Sequence, residues 1–340
     1  MKTSRNAKKY QTRFWILAIL LFLSIFASLM LGRYRLSPGE IVSLVMNRLR
    51  GTESTGAAVN VLFEIRLPRV IVAALVGAAL TVSGTTYQGM FRNPMASPDV
   101  LGASTGAGFG AALAILLGFN SFGIGLSAFC FSLVAVAAAW LIASRGRGDP
   151  VLSLVLSGMI VSALFSAGTS YTKLVADTQN QLPAITYWLM GSLSSVKKSD
   201  VLHILLPFLV GLLPLSLLRW RMNLLTVSED EARSMGVNTR RLRFIAMLCA
   251  TLLTASAVSV AGMIGWVGLA LPHFCRMLFG YDYRRLIPAG AMMGATFLLI
   301  TDDIARLAST GEIPLGILTA AIGAPVFLIL LLTRGDRYGA

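Results

Sequence analysis

The chain has 340 residues, of which 56% are hydrophobic and only 13% are charged. Soluble globular proteins of this length do not carry such an apolar excess, so the composition excludes that class. The formal net charge is +14. Because most of the 29 Lys and Arg residues flank apolar segments on one side of the expected membrane, we attribute this charge to membrane orientation and expect no nucleic-acid binding.

Ten apolar segments are long enough to cross a membrane, at roughly 20 residues per span. They lie at 14–32, 70–90, 100–118, 122–143, 151–172, 201–218, 244–263, 264–280, 287–301 and 315–332. The segment 264–280 contains Pro272, His273 and Arg276, and 287–301 is short, so these two fit least well. We expect an all-α polytopic membrane protein that forms a single transmembrane domain over 1–340.

The first apolar segment follows a cationic stretch, so a cleaved signal sequence is an alternative to a transmembrane helix. Its length exceeds a signal core and no A-x-A-like site closes it, which favours an uncleaved first span. Cations are concentrated on the side of the N-terminus. By the positive-inside rule we expect a multi-pass protein with both termini in the cytoplasm and with lipid around its spans.

The connection between the second and third segments predicts a constrained corner. Asn93-Pro94 and Ser97-Pro98 both leave the helical region, because proline disfavours helix at the preceding residue. Gly102 and Gly106 then lie four residues apart on one face of the next helix. These residues indicate a structural hinge between two spans rather than a slack linker.

The longest inner loop carries signals for two short helices. Ser228 and Glu231 form a capping box, which predicts a helix over Glu229–Met235, and Gly236 suits its C-terminal cap. Asn238 can cap a second helix, which carries Arg240, Arg241 and Arg243. Two short helices held along a membrane face would suit docking to a partner, and an ordinary solvated loop is the alternative.

Three arginines on the expected outer side, Arg66, Arg69 and Arg306, oppose the usual charge bias. They either extend to lipid headgroups or grip carboxylates of a partner through bidentate hydrogen bonds. Asp302 lies four residues before Arg306 in an apolar segment, so the two are expected to pair on one helix face. A proton or cation relay through Asp303 is the alternative.

The sequence has no phosphate-binding loop, no catalytic motif and no Cys/His cluster. We therefore expect no enzymatic activity, no cofactor and no resident metal in this chain. If ATP drives its function, ATP hydrolysis must take place on a separate subunit.

The chain resembles the FecCD family, the permease subunits of ATP-binding-cassette importers for iron–siderophore complexes, haem and cobalamin. The resemblance runs from about residue 36 to residue 332. Its motifs are, in order, Arg66-Leu-Pro-Arg69, Arg92-Asn-Pro-Met-Ala-Ser-Pro-Asp-Val-Leu-Gly102, Trp188-Leu-Met-Gly-Ser192, Glu231-Ala-Arg-Ser-Met-Gly236, Gly262-Met-Ile-Gly-Trp-Val-Gly-Leu-Ala-Leu-Pro-His273, Asp302 to Arg306, and Glu312-Ile-Pro-Leu-Gly316 with Pro325. Departures are few: Trp266 and Met95 stand where the family often has Phe and Leu, and Asp303 is an extra carboxylate.

This resemblance implies a type II ABC importer permease fold with ten spans and an inverted repeat. A loose echo supports the repeat, since Arg69-Val-Ile and Arg243-Phe-Ile each precede a span rich in small residues, ending at Gly84 and Gly262. It also implies a bacterial inner-membrane location and a second permease copy or paralogue. Contacts to a cytoplasmic ABC ATPase dimer are expected around 228–243, from Ser228, Glu229, Glu231, Ala232, Arg233, Gly236 and Arg240.

Arg66, Arg69 and Arg306 match family positions that meet acidic residues of a periplasmic or lipid-anchored substrate-binding protein. The resemblance therefore implies ATP-driven import of a metal chelate, with a ferric siderophore as the leading cargo and haem or cobalamin as alternatives. An ion-coupled secondary transporter using Asp302 and Asp303 is the rival mechanism. A membrane-embedded enzyme or a structural scaffold fits less of the sequence.

Overall fold

The computed structural model describes residues 2–51, 56–146, 149–226, 229–309 and 311–334. Within these ranges the regular secondary structure is entirely helical. The α-helices are α1 (Lys2–Met30), α2 (Pro38–Leu49), α3 (Ala57–Asn60), α4 (Leu67–Met90), α5 (Ala103–Leu116), α6 (Ser121–Ser144), α7 (Pro150–Val175), α8 (Gln181–Leu189), α9 (Lys198–Met222), α10 (Glu229–Ser234), α11 (Thr239–Ala261), α12 (Val267–Phe279), α13 (Tyr283–Leu307) and α14 (Leu315–Arg334). A π-helical turn, Val61–Arg66, joins α3 to α4.

Seven helical segments of the described chain are long and apolar enough to cross a membrane, and three shorter apolar helices accompany them. The shorter three are Ala103–Leu116, Val267–Phe279 and Leu315–Leu328. Together they match the ten predicted spans one for one. The segment predicted at 287–301 is longer than expected, since α13 runs from Tyr283 to Leu307. Asp302 and Asp303 do not end helix α13, because Arg69 and Arg306 neutralise their charges inside the bundle.

Helix α4 lies at the centre of the bundle and packs against α9, α11, α12 and α13. Small residues allow this packing, because lipid supplies no hydrophobic force between helices and association depends on close contact. A Cβ added to Gly77 would collide with the carbonyl group of Gly294 in α13, and one added to Gly84 would collide with Gly268 in α12. These glycines set how closely the neighbouring helices approach α4.

The sequence echo between α4 and α11 does not extend to their glycines. Gly84 lies inside α4, which continues to Met90. Gly262 instead ends α11, with a φ of 69°. Gly84 therefore allows a close contact between helices, whereas Gly262 ends helix α11.

Candidate functional site

The predicted docking arginines, Arg66, Arg69 and Arg306, lie together at the N-terminal end of α4. We call this end of the molecule the arginine face. The π turn before α4 ends with the Leu67 N–H bonded to the Leu62 carbonyl. Pro68 follows at once and has no N–H to donate, so regular α-helical bonding cannot continue through it. Such wide turns often accompany functional sites. Here the turn leads directly into the buried pair Arg66 and Arg69.

Arg66 binds the C-terminal end of α1 rather than facing solvent. Its Nη1 donates to the carbonyl oxygens of Leu29, at 2.6 Å, and Met30, at 3.0 Å, and its Nη2 donates to that of Tyr34. The last carbonyl groups of a helix lack partners within the helix and carry partial negative charge. Arg66 is only 4% exposed because it satisfies these groups.

Arg69 divides its guanidinium group between two carboxylates. Its Nε and Nη2 donate to Asp302 of α13 at 2.8–3.1 Å. Its Nη1 and Nη2 donate to Glu312, between α13 and α14, at 2.9 and 2.8 Å. Burial raises the pKa of Glu312, but the hydrogen bonds and charge of Arg69 outweigh this, so the pKa lies below its ordinary value.

Arg306 and Asp303 complete the cluster and join α13 to α1. Arg306 Nε lies 3.2 Å from Asp302 Oδ2, the pair expected at four-residue spacing, and its Nη2 pairs with Asp303. Asp303 also accepts a hydrogen bond of 2.7 Å from Ser28 in α1. The extra carboxylate thus holds two helices together. Ser28 could not be found from the sequence, because it lies 275 positions before Asp303.

Three arginines and three carboxylates therefore form one balanced cluster, which we call the arginine clasp: Arg66, Arg69, Arg306, Asp302, Asp303 and Glu312. It joins α1, α4, α13 and the segment before α14. The sequence predicted contacts of these arginines with lipid headgroups or with a partner, and the structure shows that their side chains are largely buried and bound within the chain. The reason is the cost of burying an unpaired charge, which each arginine avoids by binding carboxylates or helix-end carbonyls.

The predicted coupling loop lies at the opposite end of α4. Helix α10 is present over Glu229–Ser234, and Gly236 follows it with a φ of 74°. Ser228, and with it the predicted capping box, lies outside the described residues. Ala232 is fully buried, while Ser234 and Met235 are exposed. This end of the chain thus presents a short helix held in place by a small buried residue.

The second predicted loop helix is not a separate element. Asn238 caps it as expected, accepting the Arg241 N–H at 3.0 Å, but the helix continues as α11 to Ala261. No glycine or proline lies between Thr239 and Ala261 to end it. Exposed Arg240 is therefore on the first turn of a transmembrane helix. Helix α10 lies immediately before that turn in the chain.

A groove of about 1020 Å³ lies beside this end, between α6, α7 and the start of α11. Its walls include Trp140 and Phe244, whose ring centroids are 5.3 Å apart, together with Met90 at the end of α4. Arg240 and Arg243 line the same groove. Met90 is the last residue of α4, and it lines this groove together with the start of α11, which follows α10. The arginine clasp and α10 therefore lie at the two ends of α4.

The predicted hinge between α4 and α5 is a compact turn. The Asn93 side chain accepts the Met95 N–H at 2.9 Å, and a 3₁₀ turn begins at Pro98. Gly102 has a φ of 83°, a conformation that favours glycine. A Cβ added to Gly106 would lie 2.6 Å from the Phe131 carbonyl oxygen, so this glycine allows α5 to pack on α6.

The segment between α11 and α12 is a second candidate feature, which the sequence analysis did not predict. The chain is non-helical between α11 and α12, and Trp266 has a φ of 68°, which is unusual for an aromatic residue. An added Cβ on Gly191, Gly262 or Gly316 would meet the backbone of a neighbouring segment at this point. The glycine-rich run at 262–268 was the signal for this break. Unwound backbone at membrane depth is typical of transporters, where it lines the transport path.

Within the described residues, no group of three or more His, Cys, Asp and Glu side chains could hold a metal ion. The carboxylates of Asp302 and Asp303 each face an arginine. The arginine clasp can therefore hold helices together or exchange carboxylate partners, and it has the composition of an ion-pair network rather than a metal centre.

Comparison with known proteins agrees with this architecture. A match to the FecCD transport family covers residues 19–333. The molybdate import system permease protein MolB of Haemophilus influenzae is 40% identical over 321 residues, covering 94% of this chain and 95% of MolB. A probable iron chelatin transport system permease protein of Helicobacter pylori is 42% identical over 297 residues, covering 87% and 90%.

A solved inward-facing conformation of a metal-chelate type ABC transporter superimposes with a TM-score of 0.86 at 38% identity, covering 95% of this chain and 99% of that one. The family match, the two relatives and this superposition all extend over nearly the whole chain. The chain belongs to the FecCD transport family.

Proposed function

We propose that this chain is the permease subunit of an ATP-driven importer that moves a metal chelate into the cell, with a ferric siderophore as the first cargo to test. The observation that carries the proposal is that the three predicted docking arginines and the predicted ATPase-contacting helix α10 lie at opposite ends of α4. The arginine clasp joins α1, α4 and α13 at one end, and α10 lies at the other. Family membership over residues 19–333 supports it.

In this proposal the arginine face is outside and receives acidic residues of a substrate-binding protein through Arg66, Arg69 and Arg306. The α10 face is cytoplasmic and receives an ATPase dimer through residues around 228–240. Both termini are then cytoplasmic, in a bacterial plasma membrane. The ATPase acts on α10 and, through Gly236 and Asn238, on the start of α11. Coupling requires that each partner bind two permease states with different affinity.

A second permease copy completes the proposed transport path. Helix α7 supports this part of the proposal, because most of its apolar side chains are exposed in the single chain: Leu152, Leu156, Met159, Ile160, Leu164, Tyr171 and Leu174. An apolar face of this length requires lipid or another copy as its neighbour. The broken helices around Trp266 would line the path.

Molybdate is the second candidate cargo, since the relative MolB covers nearly the whole chain at 40% identity. Haem and cobalamin remain family alternatives. An ion-coupled secondary transporter is disfavoured, because the two intramembrane carboxylates on which it would depend are neutralised by Arg69 and Arg306.

The test is ATP hydrolysis and uptake in proteoliposomes that contain this chain, a candidate ATPase subunit and a candidate substrate-binding protein. The binding protein is loaded in turn with a ferric hydroxamate siderophore, haem, cobalamin or molybdate. We expect ATP-dependent uptake of one cargo and stimulation of hydrolysis by its loaded binding protein. Uptake that follows a proton gradient and ignores ATP would overturn the proposal.

A further inference from the structure

We infer that Glu312 occupies, in the free permease, the position on Arg69 that a carboxylate of the docking protein takes in the complex. Glu312 is then an internal substitute for the partner, which keeps Arg69 paired until docking. This inference rests on the proposed function, because it needs an acidic partner at the arginine face.

The two carboxylates on Arg69 differ in access. Asp302 takes the Nε/Nη2 edge, and its side chain is 2% exposed. Glu312 takes the Nη1/Nη2 edge, and its side chain is 27% exposed. Because the inner edge is filled by a buried group, an external carboxylate can reach only the outer edge. It must displace Glu312 to form a bidentate pair there.

The two carboxylates also differ in how firmly they are held. Asp302 is within helix α13 and faces Arg306 as well, at 3.2 Å. Glu312 lies between Leu307 and Leu315, outside any helix, and the neighbouring Gly311 has open space around the position of a Cβ. Removing Asp302 would leave buried arginines without their anion, whereas Glu312 can leave when another anion replaces it.

Exchange at this edge preserves the charge balance of the clasp. One carboxylate replaces another on Arg69, so no buried guanidinium group loses its counter-charge. Exposed Arg33 is among the cations that hold the pKa of Glu312 low, so a displaced Glu312 still has a guanidinium group nearby. Glu312 is also more exposed than Asp302, at 27% against 2%, so exchanging it for another carboxylate costs less than removing Asp302 would.

Arg66 and Arg306 do not offer the same exchange. Both donate to carbonyl oxygens at the end of α1, which are parts of the backbone and cannot move aside singly. Among the three arginines, Arg69 is the one whose accessible edge is covered by a side chain from a non-helical segment. The inference therefore assigns the exchange of an internal carboxylate to Arg69 alone, while Arg66 and Arg306 keep their bonds to α1 when they meet the partner.

The first measurement is the reactivity of Arg69 in the purified full-length permease. Phenylglyoxal, which modifies accessible arginines, is applied to wild type, Glu312→Gln and Glu312→Asp, and modification at Arg69 is followed by peptide mass spectrometry. The matched control is Glu64→Gln, which removes the same charge from an exposed ion pair with Lys198. We expect Arg69 to react fastest in Glu312→Gln, at an intermediate rate in Glu312→Asp, and at the wild-type rate in the control.

The second measurement is the affinity for the substrate-binding protein that supports uptake in the proteoliposome test. Without the internal carboxylate, Glu312→Gln is expected to bind it about fivefold more tightly, because docking no longer has to displace a charged side chain from Arg69. Glu64→Gln is expected to bind like wild type. The thermal midpoint of each variant shows whether its fold is intact, and Glu312→Asp provides a second, charge-preserving variant.

Faster modification together with tighter binding supports the inference. Unchanged modification of Arg69 would overturn it, because Glu312 would then not cover that edge. Faster modification with unchanged or weaker binding would also overturn it, while leaving ATP-driven import intact. If no binding protein stimulates even the wild-type permease, the proposed function fails first and the exchange inference falls with it.

Discussion

Asp302 in α13 binds Arg69 in α4 along one whole edge of the guanidinium group, with its oxygens 3.0–3.1 Å from Nε and 2.8 Å from Nη2. Both side chains are almost fully buried. The two residues are 233 positions apart in the chain, so this pair connects the second span to the ninth. It is the centre of the arginine clasp.

Replacing Asp302 should therefore destabilise the fold severely. Asp302→Ala leaves Arg69 and Arg306 without a shared buried counter-charge, which costs about 3–5 kcal/mol. The measurement is the free energy of unfolding in mixed detergent micelles. Glu64→Ala, which breaks the exposed pair with Lys198, is the control and should cost less than about 1 kcal/mol. Equal losses in the two variants would show that the clasp adds nothing to stability.

A close contact of α4 with α13 predicts different effects of alanine at two glycines of α13. A Cβ on Gly294 would collide with the Gly77 carbonyl and the Thr81 hydroxyl, whereas one on Gly290 would lie 3.5 Å from its nearest neighbour, in Thr81. Gly294→Ala should therefore lower the free energy of unfolding by about 1–3 kcal/mol, the usual cost of overpacking. Gly290→Ala should be tolerated. If both variants unfold alike, this contact does not limit the packing.

Gly236 after α10 allows a test of why a glycine is present in the proposed coupling loop. Its φ is 74° and no described residue lies within 4 Å of an added Cβ, so conformation rather than space requires the glycine in this chain. Gly236→Ala should reduce stimulated ATP hydrolysis, and Gly236→Asn should retain more, because Asn tolerates this conformation. ATPase assays in proteoliposomes measure both. Equal loss in both variants would instead indicate a close approach of the ATPase to this position.

The pKa of Glu312 predicts a pH-dependent contribution to stability. Because the pKa is lowered in the folded chain, the Arg69 contact is fully present above the ordinary glutamate pKa and is lost as the pH falls through the lowered value. Wild type should exceed Glu312→Gln by about 1 kcal/mol or less at pH 7, and this difference should be smaller at pH 3, below the ordinary glutamate pKa. Unfolding titrations at the two pH values measure it. A difference that grows on acidification would contradict the assigned contact.

The spans were predictable because each depends on local composition. An apolar run of sufficient length must leave water whatever its neighbours, so the ten segments matched helices even where α12 and α14 are short. Segment 287–301 was underestimated for the same reason. Local hydropathy counts Asp302 and Asp303 as breaks, while the folded chain neutralises them with Arg69 and Arg306.

Most contacts of the arginines could not be predicted from local sequence patterns. Their unusual position in the chain marked them as important, and the spacing of Asp302 and Arg306 predicted one pair. The sequence did not reveal that Arg66 binds the end of α1, or that Ser28 binds Asp303. These contacts join segments far apart in the chain, and no local pattern records which helix ends become neighbours.

By itself, then, the sequence determined an all-helical membrane protein, its family motifs and the order of its spans, because hydropathy and turn chemistry act over short stretches. Only the tertiary structure decided that Arg66, Arg69 and Arg306 are bound within the chain and that Glu312 covers the accessible edge of Arg69. The physical reason is the cost of an unpaired buried charge. In the folded chain, each buried charge is paired with a group that the packed helices place beside it.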